Sequence, residues 1–286
     1  MASAHVRMPD ALSPVKNIMR KPLLFIASVA LFWAIPLVLA ATSYSPDPAH
    51  VKLRVMTYNI HVGVGMDKKL DLQRIADVIN DQHPDLVGLQ EVDRGVKRTQ
   101  GVDEIAELAR LTRMQFVFAH NLDYQGGQYG VAILSRFPIL ATDHRKYENK
   151  REAERRGMIR IEVNVGGRRL SFATTHLDYQ YEDGRVFESE QLLKFLKDQT
   201  SPLIVVGDFN EEPNGDAYKL LSAEFRDAWL ESKAKQIGLS YPADKPVKRI
   251  DYIFHRSNDG MRAKRTWTVP TPASDHVPVV ADLEIR

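Results

Sequence analysis

Six apolar stretches of the sequence begin or end in side chains that can bind a metal ion or a phosphate group. These side chains are Asn59 after "RVMTY", Glu91 after "DLVGLQ", His176 after "LSFATT", Asp208 and Asn210 in "LIVVGDFN", Asp251 in "RIDYIFH", and Asp275 with His276 before "VPVVADLEI". Carboxylate and amide oxygens bind hard divalent cations, and histidine exchanges protons near neutral pH. Such a set of groups suits metal-assisted hydrolysis, in which a water molecule is aligned and charge on the reacting centre is neutralised.

Each residue of this set also has a structural explanation when it is taken alone. Asn59 suits a turn, and Asp208 suits an Asx-turn or a helix cap. Glu91 could mark the solvent end of a strand, and Asp251 could pair with Arg249 at the surface. A single histidine is more often a hydrogen-bonded structural residue than a catalyst. Six separate coincidences at strand ends are a weaker explanation than one shared site.

The hydrophobic pattern after residue 50 alternates between strands and helices. Nine segments are strand-like: "VKLRVMTYNI", "DLVGLQEV", "QFVFAH", "YGVAILS", "GMIRIEVNV", "RRLSFATTHL", "LIVVGDFN", "RIDYIFH" and "HVPVVADLEI". Apolar residues three or four apart predict helices at 71–82, 103–112 and 188–199. Two of the strands are separated by "GG" and predict a hairpin, so the fold is expected to be mixed α/β with antiparallel pairing.

Antiparallel pairing also predicts where the polar strand ends lie. In such a pair the end of one strand lies beside the start of its neighbour, so all six polar clusters are expected at one edge of the core. Binding sites tend to form where strands run out of the core into a shared pocket. The sequence therefore predicts one polar site at a sheet edge.

Composition narrows the chemistry that this site can perform. The chain has 286 residues, of which 44% are hydrophobic and 27% charged, and it contains no cysteine. Because it lacks cysteine, this globular chain can form no disulfide and no thiolate metal site, and it has no cysteine nucleophile. The signatures of phosphate-loop, zincin and α/β-hydrolase enzymes are also missing from the sequence.

The N-terminal part differs from the rest of the chain. A basic region (1–22) precedes an uncharged apolar segment (23–41), which is long enough for the core of a signal peptide or for a short membrane anchor. A linker (42–50) leads into one domain (51–286). Both alternatives place that domain outside the cytoplasm, as a periplasmic or extracellular protein or as one anchored in the membrane.

The exported part carries almost no net charge. Residues 1–40 hold four basic residues and one acidic residue, so the remainder has 35 basic and 36 acidic residues, a formal net charge of −1. A domain that binds nucleic acid mainly through its phosphates is usually strongly basic. The basic segment "KYENKREAERR" (146–156) is interpreted mainly as a solvated loop.

The ordered motifs "TYNIH", "LQEV", "YGVAILSRFP", "THLD", "GDFN", "RIDYIF" and "SDH" resemble those of the endonuclease/exonuclease/phosphatase superfamily, the deoxyribonuclease I-like proteins. The resemblance covers about residues 51–286, and "GDFN" followed by "SDH" is its most specific part. It implies a four-layer α-β-β-α sandwich with two mostly antiparallel sheets. It also implies hydrolysis of phosphate esters with Mg²⁺ or Mn²⁺.

The resemblance further implies a role for each residue. Metal ligands would be Glu91, Asn59 and Asp275; catalytic residues would be His176, Asp208, Asn210, Asp251 and His276; substrate phosphate would be bound by Asn210 and Arg156. In the deoxyribonuclease branch a glutamate partners the first histidine. Here the corresponding region offers Gln128, and Tyr129 or Glu182 are further candidates to partner His176.

The substrate class stays open at this point. A small, lipid-linked or nucleic-acid phosphate ester fits the resemblance, as does contact with a membrane through an uncleaved N-terminal segment, and no protein partner is inferred. A near-neutral domain favours a small or membrane-linked ester over long duplex DNA. The alternatives are an extracellular or periplasmic nuclease and, from another class, a non-catalytic protein that binds a phosphate ligand on the same fold.

Overall fold

The computed structural model describes residues 50–285. The predictions for the basic region 1–22, the apolar segment 23–41 and all of the linker except His50 lie outside these residues. Between His50 and Ile285, no helix has the length and apolar character needed to cross a bilayer.

Twelve strands and five α-helices make up the described part of the chain. The strands are β1 (Val51–Asn59), β2 (Leu86–Arg94), β3 (Gln115–Tyr124), β4 (Gly127–Ser135), β5 (Ile139–Lys146), β6 (Gly157–Val165), β7 (Arg168–His176), β8 (Leu203–Asp208), β9 (Phe225–Asp227), β10 (Asp251–Arg256), β11 (Met261–Thr268) and β12 (Val279–Ile285). The helices are α1 (Leu72–Gln82), α2 (Glu104–Thr112), α3 (Glu182–Leu196), α4 (Asp216–Glu224) and α5 (Ala228–Glu231). Single 3₁₀ turns lie at His61–Gly63 and Lys97–Thr99.

The strands form two sheets of six. Sheet I has the order β11-β12-β1-β2-β4-β3, and sheet II has the order β5-β6-β7-β8-β10-β9. Each of these sheets contains one parallel pair near its middle, β1–β2 or β7–β8, and its other neighbouring strands are antiparallel. The predicted hairpin is β6–β7.

Three apolar clusters establish the order of the layers. The first contains inward-facing residues of both sheets, such as Val55 and Ile133 from sheet I and Phe172 and Val206 from sheet II. The second lies between sheet I and the helices α1 and α2, and the third lies between sheet II and the helices α3 and α4. The fold is therefore a four-layer α-β-β-α sandwich, which confirms the expected architecture.

The two sheets approach each other closely beneath the polar edge. A Cβ atom on Gly88 in β2 would lie 2.4 Å from Val206 Cγ2 and 2.6 Å from Thr174 Oγ1, so no side chain fits there. Two residues further along β2, Gln90 Nε2 donates a hydrogen bond of 2.8 Å to Thr174 Oγ1. This packing and this bond fix the position of the central strands of one sheet against those of the other.

The parallel pairs explain why the polar residues converge. Parallel strands end at the same edge of a sheet, and their antiparallel neighbours start there. In sheet II, His176 is paired in register with Asp208, and Asp208 is paired with Asp251 at the start of β10. In sheet I, β1 and β2 end beside the segment that leads into β12. At the opposite edge, Val51 is paired with Ile285.

Candidate active site

A cleft of about 750 Å³ opens at the edge where the central strands end. Seven of the nine predicted site residues line it: Glu91, Arg156, His176, Asp208, Asn210, Asp275 and His276. The other two, Asn59 and Asp251, are buried, and each is hydrogen-bonded to a residue that lines the cleft. The structure therefore brings all nine residues together, while their individual roles stay predictions.

Glu91 reaches the cleft through a β-bulge in β2. The register of β2 against β4 shifts between Leu89 and Val92, and Glu91 has a φ of 55°. Leu89 and Val92 both pack into the apolar cluster on the helix side of sheet I, so the bulge turns Glu91 away from that side without disturbing the core. Bulges of this kind are common beside active sites because they redirect one side chain.

Asn59 connects carboxylates that belong to different sheets. Its Nδ2 donates hydrogen bonds of 3.0 Å to Glu91 Oε1 and of 3.0 Å to Asp208 Oδ2, and its Oδ1 accepts from the backbone N–H of His61 at 3.0 Å. The amide nitrogen, rather than the amide oxygen, thus faces the two carboxylates. In this orientation Asn59 holds Glu91 and Asp208 close together across the boundary between the sheets.

His276 lies between two buried aspartates. Its Nδ1 is 2.8 Å from Asp251 Oδ2, and its Nε2 is 3.6 Å from Asp208 Oδ2. Burial by itself lowers the pKa of His276, but the charges of Asp251 and Asp208 and the hydrogen bond to Asp251 outweigh it and raise the pKa to about 10. The imidazole ring is therefore protonated at neutral pH.

Asp208 has an unusual pKa because it lies in the same buried network. Burial, followed by the charge of Asp251, raises the pKa of Asp208 to about 7, although His276 and a hydrogen bond from Asn59 act in the opposite direction. A carboxyl group with this pKa exchanges protons at physiological pH, which is the property expected of a general base. Asp208, Asp251 and His276 also have potential ligand atoms within 4.8 Å of one another. The protonated ring of His276 has no lone pair, however, so this cluster holds a proton rather than a metal ion at neutral pH.

His176 has a different environment from His276. Its Nδ1 lies 2.7 Å from Arg156 Nη1, and its Nε2 lies 3.4 Å from Asp208 Oδ2. Burial, with the positive charges of Arg156 and His276, lowers the pKa of His176 well below its ordinary value. The ring is therefore neutral at physiological pH.

The partner of His176 differs from the candidates that the sequence offered. Among the described residues, Arg156 rather than Gln128, Tyr129 or Glu182 contacts Nδ1 of this histidine. Arg156 is also within 3.0 Å of Glu154. No sequence pattern indicates this contact, because Arg156 reaches His176 only through the pairing of β6 with β7.

Asn210 takes part in a turn and also faces the cleft. Its backbone N–H donates to Asp208 Oδ1 at 2.9 Å, which forms an Asx-turn, and its φ of 50° lies in the left-handed region. Its Nδ2 donates to the carbonyl of Leu177 at 3.0 Å and lies 3.0 Å from His176 Nε2. The turn therefore directs the amide into the cleft beside His176.

Two carboxylates of the cleft wall are the candidate ligands of a divalent cation. Glu91 and Asp275 both line the cleft, and the only hydrogen bond to the Glu91 carboxylate within residues 50–285 comes from Asn59. Hard cations such as Mg²⁺ take a few carboxylate oxygens and complete their coordination with water and substrate phosphate. The donor set therefore fits such an ion.

Most of the other residues that line the cleft are not predicted from the sequence. The additional lining residues include Arg98, Tyr124, Glu154, Tyr179, Gln180, Arg185, Glu211, Glu212, Tyr241 and Lys248. Glu211 and Glu212 belong to the "GDFNEEP" motif, but the others lie in loops or at positions with no motif. Arg98, for example, reaches the cleft because it makes a two-pronged ion pair with the buried Asp93.

These features define a class of protein: an α/β sandwich with a site of carboxylates and histidines between its sheets. A model of the Endonuclease/Exonuclease/phosphatase family matches residues 56–276. The chain belongs to this family, whose members are hydrolases that act on phosphate esters.

Three comparisons show how close the similarity is. YbhP of Escherichia coli (strain K12) is 26% identical over 252 residues, which cover 81% of this chain and 96% of YbhP. A conserved protein from Enterococcus faecalis V583 aligns with a TM-score of 0.70 at 21% identity, over 82% of this chain and 100% of that one. The mannosyl-6-phosphatase Bt3783 of Bacteroides thetaiotaomicron aligns with a TM-score of 0.66 at 17% identity, over 81% and 99%. At these identities the two structural similarities describe the fold.

Proposed function

We propose that this protein is an exported, divalent-metal-dependent phosphoesterase that hydrolyses a small phosphate ester by in-line attack of water. The observation that carries the proposal is the position of Asp208, whose pKa is about 7, beside a protonated and a neutral histidine. This set combines a group able to accept a proton from water with groups able to stabilise negative charge on phosphate. No serine or cysteine nucleophile is needed.

Each side chain has a role that its environment supports. Asp208 orients the attacking water and accepts its proton. His276 is charged and donates from Nε2 to a phosphate oxygen, and Asp251 keeps its ring oriented and protonated. Asn210 donates to phosphate from the edge of the cleft, and Asn59 keeps Glu91 and Asp208 in place.

Glu91 and Asp275 would hold Mg²⁺ or Mn²⁺. When bound, the cation neutralises charge on the phosphate and on the leaving oxygen. The protein's own contribution to this step is to keep two half-buried carboxylates at the surface of the cleft. Asn59 supports that arrangement by fixing the orientation of Glu91.

The charge of the cleft favours a small substrate over a long nucleic acid. Six carboxylate residues line it (Glu91, Glu154, Asp208, Glu211, Glu212 and Asp275) against five positively charged ones (Arg98, Arg156, Arg185, Lys248 and the protonated His276). A protein that binds several phosphates at once relies on an excess of basic contacts. The similarity to a mannosyl-6-phosphatase is consistent with a small ester. A small or membrane-linked phosphate ester is therefore proposed, and an exported nuclease is the second candidate.

The decisive experiment is a substrate panel with metal and with chelator. The full chain is assayed on phosphomonoesters, phosphodiesters, phospholipids and plasmid, with Mg²⁺, with Mn²⁺ and with EDTA. Asp208→Asn and His276→Ala are expected to lower kcat at least about a hundredfold, while Asp216→Asn on the exposed face of α4 serves as a matched control. Turnover that survives EDTA would refute the metal role.

The panel also separates the alternatives. Rapid plasmid nicking with steeply salt-dependent DNA binding would favour the nuclease. Metal-dependent phosphate binding without turnover on any substrate would favour a non-catalytic binding protein. The proposal that the protein is exported is supported only by the apolar segment 23–41. Cell fractionation followed by N-terminal sequencing of the mature protein distinguishes a cleaved signal peptide from a retained anchor, and a cytoplasmic protein would refute export.

A further inference from the structure

The contact between Arg156 and His176 determines where His176 carries its proton. A guanidinium group has only donors, so a ring nitrogen 2.7 Å from Arg156 Nη1 must be an acceptor. Nδ1 of His176 therefore has a free lone pair. A ring with a lone pair on Nδ1 is neutral and carries its single hydrogen on Nε2.

A second contact competes with this assignment. Asn210 Nδ2 lies 3.0 Å from His176 Nε2, and it would donate there if Nε2 were the unprotonated nitrogen. The ring cannot accept at both positions while it holds one proton. The contact with Arg156 is shorter and involves a full charge, and charge-assisted hydrogen bonds are about twice as strong as neutral ones.

The surroundings of each nitrogen support the same choice. A hydrogen on Nε2 has an acceptor at 3.4 Å, the carboxylate of Asp208. A hydrogen on Nδ1 would instead face the guanidinium group at 2.7 Å. The lower-energy arrangement is the Nε2–H form of the ring.

We propose that Arg156 is a positioning residue that holds His176 in the neutral Nε2–H form, so that its hydrogen points into the cleft. The role of that hydrogen as a phosphate donor rests on the proposed function, but the proton position does not. His276 has the opposite arrangement, because a carboxylate at its Nδ1 stabilises the protonated ring. The site thus contains one charged and one neutral donor, both directed towards Asp208.

Arg156 is built into the protein in a way that suits this role. Only 3% of the residue is exposed, and Glu154 lies 3.0 Å from the same Nη1 atom. Burial opposes the charge, but Tyr129, Glu154 and Glu91 raise the pKa of Arg156 above its ordinary value. The guanidinium therefore stays charged and always donates.

The test reads the proton position directly by NMR. The full chain is labelled with ¹⁵N-histidine, and the His176 signals are assigned by their loss in His176→Gln. The ¹⁵N shifts of the two ring nitrogens distinguish Nδ1–H, Nε2–H and doubly protonated rings. The wild-type protein is expected to show an unprotonated Nδ1 and a protonated Nε2. An Nδ1–H ring would mean that Asn210 determines the tautomer and would overturn the proposal, as would a doubly protonated ring at neutral pH.

Variants connect the tautomer to Arg156. Arg156→Met has similar length and no donor, and it is expected to show Nδ1–H signal and a kcat about 10- to 100-fold lower, with KM little changed. Arg156→Lys keeps a donor and should retain the Nε2–H form. The neighbouring exposed Arg155→Met is the control and should match the wild type. An unchanged tautomer in Arg156→Met would overturn the proposal.

The NMR spectrum tests the role of Arg156, and the activity assays test the proposed function. Either hypothesis can therefore be refuted without the other. A protein with the predicted tautomer but no turnover on any ester would refute the proposed function and leave the role of Arg156 in place. Turnover with the wrong tautomer would do the reverse. If Arg156→Met does not fold, the wild-type spectrum alone still decides the proton position.

Discussion

Replacing Asp251 with asparagine should shift the whole pH–activity profile towards acid. Asp251 accepts a hydrogen bond of 2.8 Å from His276 Nδ1, and its charge raises the pKa of both His276 and Asp208. Asparagine has nearly the same shape and its oxygen can still accept this bond. The substitution therefore removes the charge and leaves the geometry.

The size of the effect follows from the pKa values. Holding His276 charged up to a pKa of about 10, rather than the ordinary 6.5, corresponds to on the order of 5 kcal/mol of preference for the protonated ring. A buried opposite charge at hydrogen-bond distance contributes about one to three pH units of such a shift. The descending limb of the profile, where His276 loses its proton, should move down by about that amount. The ascending limb, where Asp208 becomes ionised, should also move down, because its pKa is no longer raised by Asp251.

The assay is kcat/KM on the best ester from pH 5 to pH 10 at saturating metal, with circular dichroism to verify the fold. The ratio of activity at pH 6 to activity at pH 9 should rise at least about tenfold in Asp251→Asn. Asp282→Asn, which removes a carboxylate paired with Arg54, is the control and should leave both limbs in place. Unmoved limbs in Asp251→Asn, or limbs that move towards alkali, would refute the assignment of the network.

Three further predictions concern the metal, a buried carboxyl group and the packing of the sheets. Glu91→Gln keeps the hydrogen bond from Asn59 but loses a charged ligand, so the free Mg²⁺ needed for half-maximal turnover should rise at least about tenfold; an unchanged requirement would exclude Glu91 as a ligand. Burial raises the pKa of Glu188 from 4.5 to about 8, so the folded state holds this proton more tightly than the unfolded chain and loses stability as pH rises from about 5 to 8. Glu188→Gln should therefore raise Tm more at pH 9 than at pH 5, and an equal change at both would contradict the assigned pKa. Gly88→Ala should lower the free energy of unfolding by about 1–3 kcal/mol, measured by chemical denaturation, because its Cβ would meet Val206 and Thr174; an unchanged value would mean that the sheets can separate slightly at no cost.

The elements that sequence reasoning found are those with a clear periodic pattern. The regular apolar spacing of α1 and α2 predicts their starts to within one residue. In the structure Asp71 and Asp103 cap these two helices. The three missed strands lack such a pattern. Most of β5 is exposed on an edge, β9 has three residues, and β11 alternates with charged side chains.

Helix α3 is longer at its start than the apolar pattern of the sequence predicts. It begins at Glu182, six residues before the predicted start, because its first turns follow the wall of the cleft and carry few apolar residues. The first helical turns are held instead by polar contacts, such as Arg185 with Glu211. Those contacts join residues that are distant in sequence, so no local sequence pattern indicates them.

The residues of the candidate site also fall into those that a local sequence pattern indicates and those that it does not. Residues at strand ends were found from the sequence, because a strand end is a local signal. The partner of His176 was not, because Arg156 reaches it by strand pairing rather than by spacing. Arg98 was missed for a related reason: its place on the cleft depends on an ion pair with Asp93.

The pairing of Val51 with Ile285 has a consequence for engineering. These residues are neighbours in adjacent strands at the edge opposite the cleft, and the Gly166–Gly167 turn lies at that edge too, with Gly166 packed against Val51. A short linker could therefore join residue 285 to residue 51, and the chain could be opened at the glycine turn instead. Such a circular permutant, or a surface attachment made there, would leave the cleft free to exchange its contents with solution.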